Sequence, residues 1–61
     1  MKLSKLLNLI WNSELNIAVE TEGVYAYKGK AENVPFNLSR RNIVSVETNE
    51  GKLFVTVASE V

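Results

Sequence analysis

The apolar residues of this chain divide into two sets that cannot share one core. Two stretches of alternating apolar residues predict two β-hairpins, and alternation sends successive side chains to opposite faces of a sheet. One face takes Ile17, Val19, Val44, Val46, Val55 and Val57. The opposite face takes Tyr25, Tyr27, Ile43 and Phe54. Because the chain has a single predicted helix to cover one face, we expect the other face to meet solvent or a partner.

The length of the chain and its lack of cysteine limit how it can gain stability. Its 61 residues correspond to one domain, residues 1–61, near the lower size limit for folding without disulfides or metals. No cysteine is present, so neither disulfides nor thiolate metal sites can reinforce the fold. Oligomerisation is the remaining common way to bury more surface. We therefore expect a homodimer or a higher oligomer.

The composition excludes the usual catalytic constellations. Histidine, cysteine and aspartate are absent, so zinc sites, Ser–His–Asp triads and Cys–His nucleophiles cannot be assembled. The seven acidic residues are all glutamates, spread along the chain, and a paired-glutamate hydrolase needs two of them in one cleft. We predict a protein without enzymatic activity, metal or cofactor.

Charge and hydropathy bear on partners and location. Seven basic and seven acidic residues give a net charge of zero, which argues against non-specific nucleic-acid binding. No apolar run approaches the roughly 20 residues of a membrane span. Residues 2–11 superficially resemble a signal peptide, but Ser4, Lys5 and Asn8 interrupt the apolar stretch and no cleavage site follows. We predict a cytoplasmic protein that does not contact membranes.

Residues 2–11 have the spacing of an amphipathic helix, with apolar residues at i, i+3, i+4 and i+7. The apolar stripe consists of Leu3, Leu6, Leu7 and Ile10. Trp11 lies at its edge, and Asn12-Ser13 is predicted to end the helix. We expect the stripe to pack on the valine-rich sheet face, whereas Leu9 lies off the stripe and is a candidate oligomer contact.

The first hairpin is predicted on either side of a two-residue loop, Glu22-Gly23. That loop pairs Glu20 with Tyr25 and Ala18 with Tyr27, which places both tyrosines on the face opposite the valines. The second hairpin is predicted around a four-residue loop, Asn49-Glu50-Gly51-Lys52. Its register pairs Glu47 with Phe54, Val46 with Val55 and Val44 with Val57.

Residues 29–42 are predicted to connect the hairpins irregularly, with a bend at Gly29 and one helical turn that begins at Pro35. Phe36 and Leu38 are expected to close over the end of the core. The predicted fold is α+β, with one N-terminal helix packed on a mainly antiparallel four-stranded sheet, in the order α-β-β-β-β.

Two sets of side chains are candidate binding sites. Tyrosine and phenylalanine are enriched where proteins meet, so the aromatic face, together with Leu9, is a candidate protein interface. The interface set is Tyr25, Tyr27, Ile43, Phe54 and Leu9. The basic residues offer a candidate anion site, in which arginine binds phosphate and tyrosine stacks on a base. The ligand set is Arg40, Arg41, Tyr27, Tyr25, Lys28 and Lys30.

Several short motifs are spread over nearly the full length of the chain. They are Met1-Lys2-Leu3 with Leu6-Leu7, Gly23 with Tyr25, Val34-Pro35 with Leu38 and Arg41, and Leu53 with Val55 and Val57. In these motifs and in the order of its elements, the chain resembles short proteins encoded by bacteriophages and prophages of Gram-positive bacteria. The resemblance implies an accessory protein, without an activity or functional residues to carry over. Phage proteins of this size often act as inhibitors, which favours binding over catalysis.

These patterns predict a small non-enzymatic binding protein. It would act as a phage-type accessory inhibitor in the host cytoplasm and engage a host or defence protein through an oligomeric sheet surface. One alternative is an oligomer that sequesters a nucleotide signalling molecule. A further alternative is a module that binds single-stranded nucleic acid.

Overall fold

The computed structural model describes residues 1–10 and 14–59. Helix α1 (Leu3–Ile10) precedes strands β1 (Asn16–Thr21) and β2 (Val24–Lys30). A 3-10 turn (Ala31–Asn33) and a short helix α2 (Phe36–Ser39) then lead to strands β3 (Ile43–Asn49) and β4 (Lys52–Val57). Trp11 and the predicted helix end at residues 12–13 lie outside the described residues, as do residues 60–61.

Helix α1 covers one face of the sheet with its leucine stripe, as the spacing predicted. Leu3 and Leu7 are buried in the core, while Leu6 and Ile10 pack partly against it. Backbone hydrogen bonds fix the start of the helix on the sheet. The amide of Leu3 donates to the carbonyl of Arg41 at 2.9 Å, and the amide of Ile43 donates to that of Met1 at 2.8 Å.

The four strands form one mixed sheet in the order β2-β1-β4-β3. Both hairpins are antiparallel as predicted, but the two central strands, β1 and β4, run parallel. The predicted helix on a four-stranded sheet is confirmed, whereas the expectation of a mainly antiparallel sheet needs this correction. β1 and β4 are the two strands richest in buried residues. Pairing them places the most apolar strands at the centre of the sheet, where both of their edges are covered.

Each hairpin turns through a Glu–Gly pair in which both residues have positive φ. The angles are 53° and 78° at Glu22-Gly23 and 52° and 79° at Glu50-Gly51. Two consecutive residues of positive φ define the type I′ loop, whose twist matches that of the flanking strands. The predicted loop of the first hairpin is therefore confirmed, as are the pairs Glu47–Phe54 and Val46–Val55 of the second. The second loop has two residues and not the four predicted, because Asn49 and Lys52 still pair with each other.

A β-bulge in each hairpin reverses two of the predicted side-chain assignments. In β2, Tyr25 pairs with Glu20 as predicted, but the register then shifts and Val19 pairs with Tyr27. In β3, the register also shifts, and Ile43 takes the place opposite Val57 that was predicted for Val44. A single extra residue turns every later side chain to the other face. Tyr27 and Ile43 therefore pack against the core instead of lying on the opposite face.

The ring of Tyr27 lies over Gly29 on the helix side of β2. Its hydroxyl donates a hydrogen bond to the carbonyl of Lys30 at 2.7 Å. A β-carbon on Gly29 would lie 2.7 Å from that hydroxyl oxygen, so only glycine leaves room for the ring. Gly29 has φ +153° and lies within the strand, where a bend was predicted. The partial burial of the Tyr27 ring and its hydrogen bond thus offset the strand pairing that the bulge disrupts.

Three apolar residues that were predicted to lie in or over the core, Val44, Val46 and Phe36, are more exposed than expected. Val46 remains 43% exposed and Val44 68% exposed, because β3 lies at the sheet edge. The predicted helical turn is present as α2, directly after Pro35, and it buries Leu38. Phe36, predicted to close over the core with Leu38, is instead 75% exposed. The core therefore rests on β1, β4 and the two helices.

Candidate functional site: the open face of the sheet

The face of the sheet opposite α1, here called the open face, presents three rows of side chains. The register places these side chains next to one another across the four strands. From β2 to β3, the first row is Lys30, Asn16, Lys52 and Asn49. The second row is Lys28, Ala18, Phe54 and Glu47. The third row is Tyr25, Glu20, Thr56 and Ser45.

Three lysines gather at one end of the open face. Lys30 and Lys52 flank Asn16 in the first row, so their backbones lie two strand spacings apart, about 10 Å. Lys28 stands two residues along the same strand from Lys30, about 7 Å away. All three side chains are exposed. This end of the face therefore carries a concentration of positive charge, although the whole chain is neutral.

Two aromatic side chains stand beside these lysines. Tyr25 is 48% exposed, and the Nζ atom of Lys28 lies over its ring, 4.4 Å from the centroid. That distance is within the range of a cation–π contact, which holds the ammonium group over the ring. Phe54 is partly buried on β4, beside Ala18. The open face thus combines flat apolar rings with ammonium groups.

Four of these side chains, those of Tyr25, Lys28, Lys52 and Phe54, help to line a concavity of about 370 Å³, a volume within the range of small-molecule sites. It is lined by Asn16, Ile17, Ala18, Tyr25, Lys28, Gly29, Lys52 and Phe54. The methyl group of Ala18 is only 7% exposed, because its cross-strand neighbours Lys28 and Phe54 stand on either side of it. A small residue at this position leaves room between larger ones.

Two carboxylates border the lysine-rich end. Glu20 occupies the third row beside Tyr25, and Glu47 stands next to Phe54 at the β3 edge of the second row. Negative charge on these two sides confines the positive region to one half of the open face. An anion would be attracted to the Lys28–Asn16–Lys52 end and repelled from the other.

The structure brings together only part of each set predicted from the sequence. Tyr25 and Phe54 lie on the open face as the alternation indicated, and the bulge in β2 brings Lys28 and Lys30 to the same face. Tyr27 and Ile43 do not share it, because the bulges turn both toward the core. Leu9 is 77% exposed but belongs to α1, on the other side of the sheet. The predicted interface of aromatic residues with Leu9 is therefore not one surface.

The two arginines lie apart from the tyrosine that they were predicted to assist. The guanidinium carbon of Arg40 lies 5.7 Å from the ring centroid of Phe36, on helix α2. Arg41 donates a 3.5 Å hydrogen bond from its side chain to the carbonyl of Ala58. Neither arginine lines the concavity beside Tyr25. Within one chain, the arginines and Tyr25 therefore do not surround a common concavity, whereas Lys28 is next to Tyr25.

Lys52 and Asn16 are the members of the site that sequence reasoning missed. Both are polar residues at strand ends with no motif to mark them. They meet because β1 and β4 pair in parallel, which sets Asn16 opposite Lys52. The sequence offered one signal for this contact. The segments Ile17–Val19 and Leu53–Val57 are both rich in apolar residues, which favours a central position in the sheet for each strand.

Neither the described residues nor similarity to known proteins indicates directly what the open face binds. Residues 1–10 and 14–59 contain no group of three or more acidic side chains that could hold a metal ion. Within the same ranges, neither helix has the length and apolar character needed to cross a membrane. Comparison of the chain with protein-family models, curated proteins and solved structures finds no match. A function for the open face must therefore be inferred from the chemistry of its side chains.

Proposed function

We propose that this chain is a non-enzymatic binding protein that holds an anionic partner on the open face of its sheet. One observation carries the proposal. Lys28 and Lys52 line one concavity together with Tyr25 and Phe54, and Lys30 stands beside Asn16 in the adjoining first row. Ammonium groups attract carboxylate and phosphate groups, and exposed rings add apolar contact area.

The proposal accommodates the roles predicted from the sequence. An inhibitor of phage type could occupy an acidic surface of a host protein, or sequester an anionic signal, with the same lysines. The resemblance to phage proteins remains a prediction that supports a binding role. A long nucleic acid could contact this region only over a short stretch, because Glu20 and Glu47 border the positive region on two sides.

Retention on a heparin column tests whether the open face binds anions. A protein with a net charge of zero is retained by a polyanion only where its positive charges are clustered. We expect the wild-type protein to be retained at low salt and eluted as salt screens the interaction. Replacing Lys52→Glu should abolish most of this retention, because it introduces a carboxylate in the first row of the open face.

Lys5→Glu is the matched control. Lys5 is an exposed residue of α1, on the other side of the sheet, and its replacement changes the net charge by the same amount. This variant should elute close to the wild-type protein. Equal losses of retention in the two variants, or no retention of the wild-type protein at low salt, would contradict the proposal.

We also propose that the chain self-associates along the β3 edge instead of through the aromatic face. β3 is an edge strand whose residues are exposed from Val44 to Asn49. Val46 points to the helix side, beside Val55, and leaves 43% of its surface uncovered. An unpaired strand edge with exposed valines is a template for pairing with a second copy. Such pairing would extend the sheet and leave the open face of each copy accessible.

A further inference from the structure

We infer that the partner of the open face is a nucleoside 5′-polyphosphate, with its base on Phe54 and its phosphates among Lys28, Lys30 and Lys52. This inference rests on the proposed function and narrows it to one class of ligand. Three features of the open face support it: the size of the concavity, the arrangement of its charges, and the position of its aromatic and amide groups.

The size of the positive region favours a small ligand. The concavity measures about 370 Å³, near the lower end of the range of small-molecule sites. The lysines occupy only two of the three rows, and Glu20 and Glu47 border them. An extended acidic surface or a long single strand would place part of its charge beside these carboxylates, whereas a mononucleotide would keep all of its charge within the positive region.

The charges are arranged for a polyphosphate. Lys28 and Lys30 lie on one side of Asn16 and Lys52 on the other. An ammonium group acts on phosphate as a point charge with three donors, without the fixed geometry of arginine. Lysines about 7 to 10 Å apart, as the strand spacings place them, can therefore reach successive phosphates of one chain from two sides.

The remaining side chains suit a base. Stacking of a base on an aromatic ring tolerates any base, because each has a flat face. Phe54 is the ring that remains for this role, since the ammonium group of Lys28 already lies over the ring of Tyr25. The amide of Asn16, in the lining of the same concavity, supplies both donors and an acceptor for a base edge or a ribose hydroxyl.

Isothermal titration calorimetry with ATP, GTP, CTP and UTP tests this inference, with inorganic tripolyphosphate and a ten-residue oligothymidylate as the other ligands. We expect at least one nucleoside triphosphate to bind at least 10-fold more tightly than tripolyphosphate, because only the nucleotide stacks. Lys52→Gln should weaken nucleotide binding about 10-fold, and Lys5→Gln should leave it unchanged.

Phe54→Leu separates the base from the phosphates. This variant should lose affinity for the nucleotide by roughly 5- to 100-fold, the range expected for one stacked base, and keep its affinity for tripolyphosphate. Circular dichroism verifies that it is folded. If Phe54→Leu does not fold, the comparison of nucleotide with tripolyphosphate on the wild-type protein and on Lys52→Gln decides the question.

Three results would overturn the inference. The first is no binding of any of the four nucleotides at concentrations up to about 1 mM, the dissociation constant of a weak complex. The second is equal affinity for nucleotide and tripolyphosphate, which would leave an anion site without a base site. The third is tighter binding of oligothymidylate, which would indicate single-stranded nucleic acid. In each case, retention of the wild-type protein on heparin, lost in Lys52→Glu, would show that the proposed anion-binding function still holds.

Discussion

Replacing Gly29→Ala perturbs the contact that holds Tyr27 on the core side of β2. The new β-carbon would lie 2.7 Å from the Tyr27 hydroxyl oxygen and 3.1 Å from the ring carbon that bears it. The ring must therefore move, and the hydroxyl must leave the carbonyl of Lys30, to which it now donates at 2.7 Å. Alanine must also adopt the φ of +153° that Gly29 has.

The expected cost is the sum of two contributions. A backbone conformation that is rare for L-residues costs about 1 to 3 kcal/mol, and the lost hydrogen bond costs about 1 kcal/mol. We expect Gly29→Ala to destabilise the protein by about 2 to 4 kcal/mol. A domain of this length has a free energy of unfolding of about 3 to 9 kcal/mol. The variant should therefore lose a large share of its stability.

Urea unfolding followed by far-UV circular dichroism measures this cost, and a double-mutant cycle assigns it. Tyr27→Leu removes the hydroxyl and the ring atoms that the β-carbon meets, so in that background Gly29→Ala should cost about 1 kcal/mol less. Gly51→Ala is the control for backbone conformation, because Gly51 has φ +79° and no atom lies within 4 Å of a β-carbon there. Equal costs of Gly29→Ala in both backgrounds, or a cost no greater than that of Gly51→Ala, would refute the reasoning.

Two further predictions concern the residues at the margins of the core. Leu38→Ala should destabilise the protein by about 2 to 5 kcal/mol because Leu38 is buried, while Phe36→Ala should change stability by less than about 1 kcal/mol; similar losses in thermal melts of both variants would contradict the placement of α2. Light scattering at tens of micromolar should show a dimer or higher oligomer that Val46→Lys converts to a folded monomer, since a charge on an edge strand blocks pairing. Val24→Lys, on the opposite edge strand, should leave the oligomer intact, and a wild-type monomer would refute self-association along β3.

The elements of the fold could be predicted from local patterns, whereas the faces of residues beyond the two bulges could not. The leucine spacing predicts α1, and the Glu22-Gly23 pair predicts the first loop, because these signals depend on neighbouring residues. Ala26 and Val44 are the extra residues of the two bulges. Each bulge depends on contacts that form with other parts of the molecule. Tyr27, for example, gains a place over Gly29 and a hydrogen bond to Lys30. No feature of the β2 sequence alone marks that gain.

The composition of the candidate site was predictable only in part, for the same reason. Tyr25, Lys28 and Lys30 lie on one strand, but strict alternation places the two lysines on the opposite face from Tyr25, and only the bulge in β2 brings all three to one face. Lys52 comes from the other hairpin, and its position beside Asn16 follows from the parallel pairing of β1 with β4. Pairing between segments that are distant in sequence leaves no periodic signal in either segment.

The parallel contact of β1 with β4 also determines when the proposed site is complete during folding. Contacts between distant segments form late, because the chain between them must first close into a loop. Lys28 and Lys30 belong to the first hairpin and Lys52 to the second, so neither hairpin alone carries the complete set of charges. The same contact brings Ile17 beside Leu53 and Val19 beside Val55 in the core. The proposed site is therefore complete only after β4 has paired with β1, and the same pairing closes the core.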